Sequence, residues 1–215
     1  MAAPDAETIL TPNGVDVEFF RPGMEQSRKI ASAVYMGDYK YFPNVDAVLY
    51  FVEQVMPLIR AVRPDFGLIL LGKDAPTEIR ALGDDRSSSV QVIGLVEDTR
   101  PYLQSASVFV CPLRSGSGTR FKLLEALACG CPVVSTTVGA EGLGATDGMQ
   151  MLIRDNPREF ARSVLEILEV PERGRVVGAE GRRWVLENHA WERSAATLGD
   201  AYRRLIDSAD TDRAE

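Results

Sequence analysis

Cysteine and histidine are scarce in this sequence of 215 residues, which contains three cysteines and one histidine. Cys129 and Cys131 are separated by a single residue and no histidine lies near them in the sequence, so they do not have the spacing of a zinc site. Three cysteines in apolar segments are also too few for a disulfide framework. We therefore expect reduced thiols in the core, a cytoplasmic protein and no metal cofactor.

Basic residues are also few relative to acidic ones: the sequence has 24 lysine and arginine residues and 31 aspartate and glutamate residues, which gives a net charge of −7. Nucleic-acid binding needs basic surfaces that neutralise phosphates, so this balance argues against a nucleic-acid partner. No apolar run approaches the roughly 20 residues of a membrane span, and no signal peptide is expected at the N-terminus. Any anionic ligand must therefore meet a local group of cations.

The sequence does contain an alternation of strand and helix patterns. Short apolar runs typical of buried strands occur at residues 29–36, 68–72, 90–96, 107–111, 132–136 and 150–153. Helical patterns occur at residues 43–62, 77–82 and 100–105, in the segment after residue 120, and from residue 157 almost to the end, with interruptions near Pro171 and His189. This alternation predicts an α/β fold: a single doubly wound, Rossmann-like domain with a parallel sheet.

Ligands of such sheets bind beyond the carboxyl ends of the strands, next to helix N-termini. Five loops are expected to share that edge: those at Gly37 and Gly72, and those at residues 94–98, 114–119 and 138–142.

One stretch, PLRSGSGTRFKLLEALACGCPVV at residues 112–134, places a flexible loop and two cations at the start of a helix. Gly116 and Gly118 let a ligand approach the backbone. Arg120 offers a planar guanidinium with several N–H donors, and Lys122 offers an ammonium on a flexible side chain. The unpaired N–H groups of a helix N-terminus attract phosphate. Neither the dinucleotide fingerprint nor the P-loop motif is met. The stretch is therefore either an anion site or a solvated turn.

Glu125 follows Lys122 by three residues, so the two side chains share one face of the helix. They either form a surface ion pair, worth well under about 1 kcal/mol, or Glu125 faces a cleft and accepts hydrogen bonds from ligand hydroxyls, as an acid beside a diphosphate does for ribose. The spacing favours neither interpretation.

The longer segment PLRSGSGTRFKLLEALACGCPVVSTTVGAEGL resembles the donor-binding signature of the family 4 retaining glycosyltransferases, which have the GT-B fold. TPNGVDVEFFRP looks like the linker between the two halves of those enzymes. GDYKYFPNVDAVLYFVEQVMPLI, LILLG, IGLVEDTRPYLQSASVFVCPL and AEGRRWVLENHAWERSAATLGDAY then follow in the family's order. The resemblance covers residues 9–205 and implies the donor-binding, C-terminal half of a hexosyltransferase-type enzyme of polysaccharide or glycoconjugate synthesis.

Two positions depart from the family pattern. Glu125 takes the place of the glutamate that contacts the ribose, but Ser117 stands where the family has a sugar-contacting glutamate eight positions earlier. Asp38 and Pro43 stand where the family usually has an arginine and a lysine for the diphosphate. The resemblance therefore implies that Arg120 and Lys122 neutralise the diphosphate instead, with Lys40 as a weaker candidate for the same task.

The resemblance also implies roles for the rim loops. Val96 is expected to contact the base through the backbone of its loop, and Gly37 to permit a close approach beneath the phosphates. Glu141 either reaches the sugar or is a structural acid of its loop. The catalytic residues expected are Arg120 and Lys122, and the substrate-binding residues are Gly37, Val96, Gly116, Ser117, Gly118, Thr119, Glu125 and Glu141.

The implied domain organisation has three parts: residues 1–22 as a remnant of the interdomain linker, residues 23–207 as the nucleotide-sugar-binding domain with its C-terminal helices, and residues 208–215 as a frayed tail. The expected partners are a nucleotide sugar and an acceptor-binding N-terminal domain or partner chain, without which this chain is expected to be inactive. A membrane span is not expected, although peripheral membrane contact of the full enzyme stays open.

Two other functions are compatible with the sequence. One is a non-catalytic nucleotide-sugar-binding module or a subunit of a split enzyme. The other is a GT-B epimerase or an unrelated dinucleotide-binding fold, and the absence of the full glycine fingerprint speaks against the dinucleotide-binding fold.

Overall fold

The computed structural model describes residues 8–23, 31–84, 89–118 and 120–212. Its strands are β1 (Ser32–Met36), β2 (Gly67–Leu71), β3 (Val90–Gly94), β4 (Val108–Cys111), β5 (Val133–Ser135) and β6 (Leu152–Ile153). They form one sheet in the order β3-β2-β1-β4-β5-β6, in which every pair is parallel. Helices flank this sheet, so the predicted α/β fold with a doubly wound parallel sheet is confirmed.

The helices are α1 (Phe42–Tyr50), a π-helical segment (Phe51–Val55), α2 (Met56–Arg60), α3 (Thr77–Asp84), α4 (Arg100–Ser105), α5 (Phe121–Ala128), α6 (Thr137–Ala140), α7 (Pro157–Glu169), α8 (Pro171–Asn188) and α9 (Trp191–Asp212). The single helix predicted at residues 43–62 therefore contains a widened turn. Pro57 has no N–H to donate to the carbonyl of Glu53 four residues earlier, and the π-helical segment lies where that bond is missing.

The short helix α6 was not predicted, because residues 138–142 were expected to form a loop. Thr136 begins this helix, and its hydroxyl accepts a hydrogen bond from the backbone N–H of Gly139 at 3.0 Å. A threonine in this position satisfies one of the unpaired N–H groups of the first turn.

Strand β1 occupies the middle of the sheet and pairs with β2 on one side and β4 on the other. All residues of β1 and β4 are buried, as expected for strands covered by helices on both faces. From β1 the strand order runs outward through β2 and β3 on one side of the sheet, and from β4 it runs outward through β5 and β6 on the other side. The point between β1 and β4 is the switch point of the sheet, where doubly wound sheets bind ligands. Four of the predicted rim loops directly follow carboxyl ends of strands, and the fifth segment, residues 138–142, follows β5 as part of α6 and the turn after it, so all five lie at one edge.

The segment of residues 8–23 packs on the junction between α8 and α9. Val15 is buried, its N–H donates to the carbonyl of His189 at 2.8 Å, and it forms an isolated bridge with Ala190. The ring nitrogens of His189 lie 3.0 Å from the Asn13 carbonyl oxygen and 3.2 Å from the Leu143 carbonyl oxygen. The only histidine of the chain therefore joins the N-terminal segment to the body of the domain.

At the other end of the described chain, α9 extends to Asp212, so helical backbone enters the tail that was expected at residues 208–215. Residues 213–215 lie outside the described residues, and the three domain limits stay predictions. None of the helices in the described ranges combines the length and the apolar character of a membrane span.

Candidate functional site

A cavity of about 280 Å³ opens beyond the carboxyl ends of β1, β2 and β3, with α5 beside it. The described residues that line it are Met36, Gly37, Asp38, Leu71, Gly72, Lys73, Leu95, Val96, Thr99, Lys122 and Glu125. The cavity thus lies at the edge that doubly wound sheets use for ligands, and it combines an apolar side with two oppositely charged side chains of α5.

Lys122 extends from the first turn of α5 to side chains of β1 and α1. Its Nζ donates to Asn44 Oδ1 at 2.8 Å and to the Tyr35 hydroxyl at 3.1 Å, and lies 4.4 Å from the centroid of the Tyr35 ring. An ammonium group has three donors, so one proton has no partner among the described residues. The pKa of Lys122 is lowered to about 8, mainly because burial disfavours the charged form and in smaller part because of the positive charge of Arg120.

Glu125 lies one turn further along α5 and also lines the cavity. Burial raises the pKa of its carboxyl to about 7, and the ammonium of Lys122 opposes this rise. Among the described residues, none donates a hydrogen bond to the Glu125 carboxylate, because Lys122 is bonded to Asn44 and Tyr35 instead. Of the two interpretations of this glutamate, the structure favours an acid that faces the cavity.

Arg120 directly precedes α5, and its side chain is buried at 8% exposure. Nη1 donates to the Ser117 carbonyl at 2.9 Å, whereas Nε and Nη2 have no partner among the described residues. Buried N–H groups without acceptors are unfavourable, so Arg120 places an unsatisfied positive group directly before α5. Gly116 lets its neighbours come close: its φ is +100°, and a Cβ there would lie 2.6 Å from the Tyr41 hydroxyl and 3.2 Å from Arg120 Nη2.

The structure brings part of the predicted site together. Four predicted residues line the cavity: Gly37, Val96, Lys122 and Glu125. Five others are not among its described lining residues: Gly116, Ser117, Gly118, Arg120 and Glu141. The first three form the loop that Arg120 holds through Ser117, and Glu141 is exposed in the turn after α6. Thr119 lies outside the described residues.

The predicted site also lacked several residues, and three of them have polar contacts. Tyr35 and Asn44 contact Lys122, and Lys73 lines the cavity and forms an ion pair with Asp38 at 3.1 Å. The signal for Lys73 is its position directly after the strand β2, at the ligand edge. No comparable signal marks Tyr35 or Asn44, because a tyrosine in a buried strand and an asparagine near a helix start are both ordinary. The Asn44 side chain also explains why residue 37 is a glycine, since a Cβ on Gly37 would lie 2.7 Å from Asn44 Cγ.

A larger hollow, of about 620 Å³, lies between residues 21–23 and α4. Two of its three charged lining residues are paired with each other: Arg100 forms an ion pair with Asp98 at 2.7 Å and lies 3.7 Å from the centroid of the Phe19 ring. The smaller cavity is therefore the better candidate site. It lies at the switch point of the sheet, and the Lys122 ammonium and the Glu125 carboxylate that line it are not hydrogen-bonded to each other.

The three cysteines, Cys111, Cys129 and Cys131, are buried and free, as expected. Burial raises the pKa of the Cys111 thiol, and raises that of Cys129 to about 12, so both thiols are neutral at physiological pH. Within the part of the chain that the structure describes, no three histidine, cysteine, aspartate or glutamate side chains form a group that could hold a metal ion.

The raised pKa of Glu125 leads to a stability prediction. A carboxyl whose pKa is higher in the folded than in the unfolded state destabilises the fold progressively between those two values, here from about 4.5 to about 7. Glu125→Gln is therefore expected to raise the melting temperature at pH 8 by about 2–4 °C, or about 1 kcal/mol for a chain of this size, and to leave it unchanged at pH 4. Thermal scans at both pH values test this.

The matched control is Glu53→Gln, which removes an exposed carboxylate from the π-helical segment. It is expected to shift the melting temperature by less than about 1 °C at both pH values, since exposed charges contribute little. A melting temperature of Glu125→Gln below that of the wild type at pH 8 would show that the carboxylate makes stabilising contacts in the fold.

Comparison with known proteins adds a family to this geometry. The family model described as "Glycosyl transferases group 1" matches residues 31–170. A GDP-mannose-dependent monoacylated alpha-(1-6)-phosphatidylinositol monomannoside mannosyltransferase of Corynebacterium glutamicum is 28% identical over 92% of this chain and 55% of its own length. A D-inositol 3-phosphate glycosyltransferase of Saccharomonospora viridis is 30% identical over 95% of this chain and 52% of its own length. The chain thus spans about half the length of the curated relatives it matches.

Solved structures show the same fold at low sequence identity. A sucrose-phosphate synthase from Thermosynechococcus elongatus superposes with a TM-score of 0.75 at 22% identity, over 94% of this chain and 53% of its own. The C-terminal domain of a group 1 family glycosyl transferase from Francisella tularensis superposes with a TM-score of 0.68 at 16% identity, over 82% of this chain and 99% of its own.

Proposed function

Because the chain belongs to the group 1 glycosyl transferases, we propose that it is the donor-binding half of such an enzyme, which transfers a hexosyl-type sugar from a nucleotide sugar in polysaccharide or glycoconjugate synthesis. The relatives support this choice, since one is named as a GDP-mannose-dependent mannosyltransferase and another as a glycosyltransferase of inositol 3-phosphate. The three buried free thiols suit a reducing compartment, so we place the reaction in the cytoplasm.

The single observation that carries the proposal is the joint placement of Lys122 and Glu125 in one cavity at the switch point of the sheet. One turn of α5 brings an ammonium with an unused proton next to a carboxylate without a hydrogen-bond donor. A nucleoside diphosphate satisfies both, because its phosphates accept from the ammonium and its ribose hydroxyls donate to the carboxylate.

The diphosphate would bind at the N-terminus of α5, between the cavity and the loop that contains Gly116. Lys122 offers its free proton, and Arg120 adds positive charge from a side chain whose Nε and Nη2 are buried from solvent. Negative charge develops on the diphosphate as its bond to the sugar breaks, and donors fixed in advance stabilise that charge without rearranging. These two side chains and the N–H groups of α5 can carry this task without a resident metal ion.

The nucleoside would occupy the apolar side of the cavity. Leu95 and Val96 follow β3, and Leu95 is 74% exposed although it is a large apolar side chain. Contact with the flat face of a base would cover this surface, while Glu125 binds the ribose from the opposite wall. Burial of the apolar side chain contributes to the affinity for the base, and the carboxylate adds a requirement for ribose hydroxyls.

A comparison of two ligands tests the role of Glu125. Glu125→Gln keeps the size of the side chain and removes its charge, so affinity for GDP and UDP is expected to fall about tenfold or more. Affinity for inorganic pyrophosphate, which has no ribose, is expected to stay level or to rise, because a nearby negative charge is gone. Isothermal titration calorimetry with both ligands measures the difference.

The control is again Glu53→Gln, which is expected to bind all three ligands as the wild type does. Equal weakening of the nucleoside diphosphates and pyrophosphate in Glu125→Gln would mean that Glu125 only holds the local structure, and the ribose assignment would be withdrawn.

A further inference from the structure

We infer that Asn44 is the positioning residue of the site: its neutral side-chain oxygen aims the Lys122 ammonium at the cavity and leaves the positive charge uncompensated for an anion. The inference rests on the proposed function of the cavity and adds to it a residue of α1 that does not line the cavity.

The Asn44 amide has three hydrogen bonds that determine its orientation. Oδ1 accepts from Lys122 Nζ at 2.8 Å and from the Tyr35 hydroxyl at 2.7 Å, while Nδ2 donates to the Asp38 carbonyl at 2.8 Å. A flipped amide would place its NH2 group against the ammonium and its oxygen against a carbonyl, so only one orientation is compatible with these contacts. Asn44 itself is buried at 6% exposure.

These bonds join three elements of the site. Asp38 belongs to the loop after β1, Tyr35 to β1 and Lys122 to α5. The absence of a side chain at Gly37 makes room for the amide, because a Cβ there would lie 2.7 Å from Asn44 Cγ. Because these hydrogen bonds fix the Asn44 amide, the amide holds the Lys122 ammonium in place before a ligand binds. Binding then costs little side-chain rotamer entropy.

The chemical type of residue 44 matters as much as its position. An aspartate has nearly the same shape but would pair with Lys122 and cancel its charge, whereas an amide offers only a dipole. The charged and titratable groups around the ammonium are Tyr35 from β1, Cys111 from β4, and Arg120 and Glu125 from α5 and its N-terminus. None of them is an anion in hydrogen-bond contact with Nζ, so the charge stays available for a ligand.

Two variants separate this role from a structural one. In Asn44→Asp the pKa of Lys122 is expected to rise by about 1 pH unit or more, because an opposite charge in contact favours the ammonium. In Asn44→Ala it is expected to fall, because an acceptor of the ammonium is lost. Both variants are expected to bind inorganic pyrophosphate and GDP at least roughly tenfold more weakly than the wild type. Asn44→Asp is expected to remain folded with a lower melting temperature, since the ion pair it gains only partly offsets the lost Nδ2 hydrogen bond to the Asp38 carbonyl.

The pKa can be read without any ligand, because the sequence has only four lysines. Carbon-13 labelling of the lysine side chains gives four NMR signals, and the signal of Lys122 is the one that disappears in Lys122→Ala. Titration of that signal in the wild type and both variants measures the charge state, and calorimetry measures the affinities. Gln54→Glu is the control, since it adds one negative charge at an exposed position of the π-helical segment; its Lys122 pKa and affinities are expected to match the wild type.

The outcomes distinguish this inference from the proposed function. Wild-type affinity for pyrophosphate in Asn44→Asp, or an unchanged pKa of Lys122 in both variants, overturns the positioning role even where the wild type binds GDP. If the wild type binds neither GDP nor UDP, the proposed function fails, and the NMR titration still decides whether Asn44 controls the charge of Lys122. Should Asn44→Ala unfold, Asn44→Asp alone decides.

Discussion

Lys122→Ala is expected to weaken the binding of GDP and UDP by about 1.5–3 kcal/mol, or roughly ten- to a hundredfold, the range for a hydrogen bond to a charged group. The side chain provides the ammonium proton that faces the cavity, and alanine leaves the diphosphate without it. Pyrophosphate affinity is expected to fall by the same factor, because the contact is to phosphate. Isothermal titration calorimetry at pH 7 measures all three.

The pH dependence gives this prediction a second readout. The pKa of Lys122 is lowered to about 8, so its charge is complete well below pH 8 and is lost as the pH rises through that value. The terminal phosphate of a nucleoside diphosphate has its second pKa near 6, so the phosphate charge of GDP and UDP hardly changes above pH 7.5, and these two ligands are used for the pH series. Wild-type affinity is therefore expected to fall between pH 7.5 and 9.5, and the affinity of Lys122→Ala is expected to stay level across that range.

Arg63→Ala is the matched control for the loss of one positive charge. Arg63 pairs with Asp65 at the amino end of β2, at the opposite edge of the sheet from the cavity. Its removal is expected to change the affinity less than twofold. Wild-type affinity in Lys122→Ala would instead make the stretch at residues 112–134 a solvated turn, which is the other interpretation that the sequence allows.

Most of the fold could be predicted because its signals are local. Leu68, Leu70 and Leu71 belong to a continuous apolar run, and only a strand covered on both faces needs one. The π-helical segment before Pro57 could not be predicted, because apolar residues at helical spacing continue through it. Helix α6 was missed because its only sequence signal is one capping threonine, Thr136. A single threonine before a short segment is equally compatible with a turn or a loop.

Side-chain neighbours within the site could be predicted only where one element supplies both residues. Lys122 and Glu125 lie one turn apart on α5, so their shared face follows from sequence spacing. The partners of Lys122 lie 87 and 78 residues earlier, in β1 and α1. Nothing in the sequence of Tyr35 or Asn44 signals that contact, because it depends on how the sheet order brings β1 next to β4. Burial, which sets both pKa values, is likewise a property of the assembled domain.

The largest expected effect concerns catalysis by this chain alone: it is expected to bind a nucleotide sugar and to transfer none of it. The support is that the chain spans about half the length of its curated relatives. Positioning of two substrates contributes about 7–11 kcal/mol to lowering a barrier. If the other half of the enzyme orients the acceptor, as proposed, these 215 residues lack that contribution, and turnover is expected to be undetectable.

Donor binding and transfer can be measured on the same purified chain. A ligand at a hundredfold excess over its dissociation constant stabilises the fold by about 2.7 kcal/mol, which for a chain of this size raises the melting temperature by roughly 5–10 °C. Radiolabelled GDP-mannose and UDP-glucose, offered with inositol, inositol phosphates and lipid extracts as acceptors, are expected to give no labelled product. Lys122→Ala is the control for binding, since it is expected to lose most of the thermal shift.

Robust transfer by the unaccompanied chain would overturn the half-enzyme proposal. Transfer that appears only after an acceptor-binding half is supplied would confirm it, whereas binding without transfer even then would make the chain a non-catalytic nucleotide-sugar-binding module.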